Sequence, residues 1–112
     1  MGYRLCFHDT KKTCFVCNKF FGYIDDDVMK NLKSWEWIRK REAENDERYR
    51  DVEQALFWWH FVTEAHQFEL THDEVEEFLT LYVNDRVSQG IPDSLDEYSE
   101  ILKLPKAIIE WG

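Results

Sequence analysis

Cys14 and Cys17 hold the most chemical promise in this chain, because two thiols three positions apart can close on one metal ion when the backbone between them reverses. Asn18 follows them and tolerates a left-handed conformation at lower cost than most residues, so a chelating turn is expected over residues 14–18. Tetrahedral zinc requires two further ligands. Were residues 13–18 a plain strand, alternate side chains would face opposite sides of a sheet and the two sulfurs could not share an ion. The metal reading therefore depends on a bend. Without one, the pair is two small thiols in a hairpin.

The run Cys14-x-x-Cys17-x-Lys19-x-Phe21 resembles the first half of a two-Cys, two-His zinc finger. The second half of such a module is His-x₃₋₅-His near a helix end, and His60 and His66 have five residues between them. The resemblance implies a structural Zn²⁺ held by Cys14, Cys17, His60 and His66. With 42 residues between Cys17 and His60, it would sit inside a larger domain and would not form a DNA-reading finger. Cys6 and His8, on one face of the first strand, are a local alternative to the histidine pair. Thiol exchange is the rival use of Cys-x-x-Cys, but it favours a first thiol at a helix N-terminus, and residues 18–23 read as strand. His60-x₃-Glu64 is too thin a fragment for a metalloprotease, and four scattered glycines make no phosphate loop. These residues predict a non-enzyme.

The elements that must position these groups begin with Tyr3, Leu5 and Phe7 alternating with Arg4, Cys6 and His8, the period of a half-buried strand. A second extended run over 13–24 makes this region a small hairpin or sheet. Asp25, Asp26 and Asp27 can cap a helix whose Val28, Leu32, Trp35 and Ile38 recur at helical spacing, and Arg39, Lys40 and Arg41 suit its C-terminus. Residues 42–48 read as a linker or frayed end. From 46 to 65, Tyr49, Val52, Leu56, Trp59 and Val62 predict a second helix, with Phe57, Trp58 and Phe61 on its other sides. A short strand is expected over 67–70. Thr71 with Glu74 forms a capping box for a third helix through Val75, Phe78, Leu79 and Tyr82, which Gly90 and Pro92 end. Ser94 with Glu97 repeats the signature for a short fourth helix, and Pro105 precedes an apolar tail, 107–111. The expected fold is α+β: an N-terminal hairpin or sheet packed on three to four helices in a single zinc-stapled domain, 1–112. Within it, 1–24 forms the β-rich knuckle and 25–112 a mainly helical acidic body.

The chain of 112 residues is 44% apolar and 16% aromatic, which excludes intrinsic disorder. It contains no apolar run of the roughly 18 residues that a membrane helix needs and no secretory leader, so a cytoplasmic address with reduced thiols is expected. Net charge is −9, divided as +4 over residues 1–41 and −13 over 42–112. Such an acidic body repels nucleic acid and membranes and is attracted to basic clefts. Asp73, Glu74, Glu76 and Glu77, with Asp93, Asp96, Glu97 and Glu100, are the candidate partner contacts, and solubility is the plain alternative.

In size, acidity and a Cys-x-x-Cys metal staple the chain is similar to phage-encoded anti-CRISPR inhibitors of Cas9. The resemblance implies a stoichiometric blocker that binds a basic surface of Cas9 in a bacterial cytoplasm and prevents target DNA from loading. The alternative is a zinc-stapled adaptor or regulator that binds a protein partner through its aromatics.

Overall fold

The structure is a computed structural model that describes residues 2–23, 26–44, 46–53 and 65–112, and their side chains except those of Asn18, Asp26 and Val28. Strand β1 (Gly2–His8) turns into β2 (Cys14–Tyr23), and helices α1 (Asp26–Met29) and α2 (Lys33–Ala43) follow. Next come β3 (Tyr49–Val52), β4 (Ala65–Thr71), α3 (His72–Ser88), a 3-10 turn (Leu95–Tyr98), α4 (Ser99–Leu102) and β5 (Lys106–Trp111). The described strands form one antiparallel sheet in the order β2-β1-β5-β4-β3. The fold is α+β, and no support for a zinc staple accompanies it.

One face of the sheet carries the core. Leu5 and Phe7, Ile109 and Trp111, and Phe68 and Leu70 stand in register across β1, β5 and β4 and are buried against α2 and α3. Phe78 of α3 is the hub of this layer, its ring within 6 Å of those of Phe7, Phe21 and Trp37. Burying a side chain of this size removes about 150–250 Å² from water, so these aromatic residues go largely into holding helix to sheet. Gly22 lets β2 pass beneath α1, since a Cβ there would collide with Met29 and Leu32.

Several expectations hold. Thr71 and Glu74 form the capping box, with Glu74 N–H donating to Thr71 Oγ1 at 3.4 Å and Thr71 N–H to Glu74 Oε1 at 3.0 Å. Gly90, at φ +81°, lies just past the end of α3 in the left-handed conformation that favours glycine. The strand expected over 67–70 is the middle of β4.

Others need correction. Tyr49–Val52, expected as the start of a helix, is an edge strand paired with β4, and Ala65 already belongs to β4. The remainder of that predicted helix, including His60, Trp58 and Trp59, lies largely outside the described residues. The apolar tail is β5, the central strand. Its pairing with β1 and β4 joins the first strand to the last three in one sheet. Ser94 makes no side-chain cap; its own N–H donates to Asp93 Oδ1 at 2.9 Å.

Candidate functional site

Three groups of polar residues emerge from this framework, and the first is the cysteine pair. Two register irregularities in β2 against β1, one on each side of the Phe7–Val16 pair, leave extra residues in β2. A bulge of this kind turns side chains that would otherwise diverge toward one another. Cys14 and Cys17 are joined as a disulfide, with Cα atoms 6.4 Å apart. The tight turn expected over 14–18, with Asn18 left-handed, is not formed: Cys14–Tyr23 is one strand, and its bulges bring the sulfurs together, where they bond to each other against the expectation of reduced thiols. Zinc would need both thiolates and two more ligands. His66 lies on β4, three strand spacings from β2, or ~14 Å, whereas zinc holds its ligands at ~2.0–2.3 Å. Cys14, Cys17 and His66 do not fit a shared ion, and His60 lies outside the described residues.

The local alternative comes closer to assembling. His8 pairs with Cys14 in register, and Cys6 shares its face of β1. Cys6 and His8 are both buried, on the side of the sheet away from Leu5 and Phe7, together with Glu110, whose Oε2 lies 3.8 Å from His8 Nε2 and accepts from Gln67 Nε2 at 3.3 Å. Among the described residues, no three or more His, Cys, Asp or Glu side chains are arranged to hold a metal ion.

The second group was not foreseen. Asp51, His66 and Trp111 stand opposite one another on β3, β4 and β5, and Tyr49, two residues before Asp51, shares their face. His66 Nδ1 lies 2.7 Å from both Asp51 Oδ1 and the Tyr49 hydroxyl, which itself donates to Asp51 at 2.8 Å. A proton on Nδ1 satisfies all three contacts. The imidazole stacks on Trp111 at 5.3 Å. The Tyr49 hydrogen bond, and that of His66 after it, hold the Asp51 carboxyl below its ordinary range despite some burial. Burial pushes Tyr49 up, helped by its bond to Asp51. Burial likewise raises Glu42 at the end of α2, against the pull of Arg39. Sequence reading missed Tyr49 and Asp51 because positions i and i+2 share a face only in a strand, and a helix was expected there.

The third group is acidic, and it divides. Glu74 closes the capping box and pairs with Arg48, which also holds Asp46, and with Arg41 at 3.2 Å. Burial opposes ionisation of Glu74, but the Arg48 hydrogen bonds and the Thr71 N–H prevail and lower it. Asp93 has a fully buried side chain, bonded to Arg86 at 2.8 Å and to the Tyr98 hydroxyl at 2.7 Å. These two are parts of the framework. Asp73, Glu76, Glu77, Asp96, Glu97 and Glu100 are exposed. Glu77 reaches Arg41 only at 3.9 Å and Glu97 reaches Lys19 at 3.8 Å, while Asp73, Glu76 and Glu77 line a groove of about 350 Å³ with Thr80 and Leu81.

No helix among the described residues is long and apolar enough to cross a membrane. No known family matches the chain, and neither a curated protein nor a solved structure matches it significantly.

Proposed function

We propose that this protein is a non-catalytic acidic binding module that docks on a basic protein surface through the outer side of α3. The groove lined by Asp73, Glu76, Glu77, Thr80 and Leu81 carries this reading, because it sets exposed carboxylates beside an apolar side chain. An arginine of the partner would lay its aliphatic stem on Leu81 and offer its guanidinium to the carboxylates in a charge-assisted pair. Asp96, Glu97 and Glu100 add further exposed charge. A CRISPR effector such as Cas9, acting in a bacterial cytoplasm, is the partner implied by the anti-CRISPR resemblance. Its positive channel holds nucleic acid, so an acidic occupant would block loading of target DNA.

The alternative, an adaptor that binds through aromatics, has less support. Among the described residues the large apolar side chains that stand exposed are Tyr23 and Val87.

Binding of the purified protein to guide-loaded Cas9 across a salt series tests the proposal. A complex at low ionic strength should dissociate as the Debye length falls from ~30 Å at 0.01 M to ~8 Å at 0.15 M, and it should vanish when Asp73, Glu76 and Glu77 are replaced together by Ser, Gln and Gln. Absence of a complex at low salt removes Cas9 as the partner. A complex indifferent to salt removes the acidic docking face.

A further inference from the structure

A separate groove of about 510 Å³ is lined by Tyr3, Lys30, Trp35, Glu36, Arg39 and His66. Its volume lies within the ~300–1,000 Å³ usual for small-molecule sites. Its chemistry is unlike that of the acidic face. Tyr3 stacks on Trp35 with centroids 5.4 Å apart and planes 25° from parallel, giving an aromatic wall, and Arg39 lies 5.7 Å over the Trp35 ring. Among the described residues, two cations, one carboxylate and an imidazole with its Nδ1 already engaged join that wall in the lining.

We infer that this groove binds a free nucleotide, with the base against the Tyr3–Trp35 wall, the phosphate on Arg39 and Lys30, and the ribose hydroxyls donating to Glu36. Each part of the lining has a counterpart in that ligand. Base–aromatic stacking tolerates any base because every base has a π-face, and carboxylates accept from ribose hydroxyls in dinucleotide sites. Arg39 and Lys30 now pair with Glu42 at 3.1 Å and Asp27 at 2.8 Å, and the two cationic side chains are 62% and 67% exposed. The Lys30–Asp27 pair is exposed on both sides and contributes little, so Lys30 can exchange its carboxylate for a phosphate at small cost, whereas Arg39 would keep Glu42, whose side chain is largely buried, and offer the phosphate its remaining N–H groups.

Size and charge favour a single nucleotide over a strand. A groove of about 510 Å³ has room for one, and Glu42 and Asp51, bonded to Arg39 and His66, put carboxylates at its edge that a run of phosphates would meet.

Trp fluorescence titration of the intact protein with AMP, CMP, adenosine, inorganic phosphate, dAMP and a short single-stranded oligonucleotide tests this. AMP and CMP should quench saturably below ~1 mM, a Kd at the weak end of specific binding. Adenosine and phosphate alone should each bind about tenfold more weakly or worse, because each uses only half of the site, and dAMP should be weaker than AMP. Lys30→Ala, on a side chain 67% exposed, should weaken AMP about tenfold, and Arg39→Ala should do the same with its melting point read alongside, because Arg39 also pairs with Glu42. Glu36→Gln should narrow the gap between AMP and dAMP. Lack of saturable quenching by either nucleotide, equal binding of phosphate alone, or tighter binding of the oligonucleotide would each overturn the inference.

Discussion

Helix α3 carries two populations of carboxylate whose formal charge is the same and whose surroundings are opposite. Asp85, 7% exposed, reaches from the C-terminal half of α3 to the start of α2, where its two oxygens accept from Lys33 N–H at 3.0 Å, Ser34 N–H at 2.9 Å and Ser34 Oγ at 2.6 Å. Leu32, at the N-cap of α2, has no capping oxygen of its own, so Asp85, 51 positions beyond Ser34, supplies it. Glu74 closes the first turn of α3 and gathers Arg41 and Arg48. Asp73, Glu76 and Glu77 lie on the same helix and point into solvent. The lesson is that net charge does not measure what is left for a partner. Acidity at 73–77 and 93–100 is part scaffold and part free surface.

The contrast can be broken at its strongest point by Asp85→Ala. This substitution strands a buried hydroxyl and two helix N–H groups, and the denaturant midpoint should fall by the equivalent of about 3 kcal/mol; a loss near zero would mean that α2 does not rely on this tertiary cap. Glu74→Ala removes the reciprocal cap and leaves Arg41 and Arg48 without their shared partner. It should cost about 2 kcal/mol by the same measurement.

Acid should reveal the same residues without mutation. Asp46 is lowered to about 2 by its hydrogen bonds to Arg48, and Glu74 is also held below its ordinary 4.5. A carboxyl lowered in the folded state stabilises it above the unfolded value and loses that contribution as pH falls through the folded one. The thermal midpoint should therefore drop between pH 4.5 and about 2, and less so in Glu74→Ala. Glu42, raised by burial, works in the opposite sense, since its stabilising neutral form is lost as pH rises through its folded value.

The smallest effect on stability belongs to the exposed group. Replacing Asp73, Glu76 and Glu77 together should change stability by about 0.5 kcal/mol or less while abolishing salt-sensitive binding to a basic partner. If the variant melts early, these side chains belong with Glu74 and the distinction disappears.

How legible each part was depends on the range of the interaction that made it. The α3 capping box was readable because Thr71 and Glu74 satisfy each other across one turn, and β1 because its alternation spans consecutive residues. The cysteine spacing suggested a turn at 14–18, but the pair lies in a bulged strand, because the pairing of β2 with β1 decides the backbone there, and the sulfur–sulfur bond was not expected either. The acidic patch could be located but not sorted, since Glu74 and Glu76 differ only in which side of α3 they occupy and what packs there.

The sequence by itself determined a folded α+β chain, an aromatic core, a basic first part and an acidic second, and the α3 capping box, because each of these follows from composition or from neighbours a few residues apart. Only the tertiary structure decided that 107–111 is the central strand, that Asp85 caps a remote helix and that Tyr49, Asp51 and His66 meet. Those outcomes depend on strand order and register, and register is chosen by the packing of the whole sheet face, which no short window of residues contains.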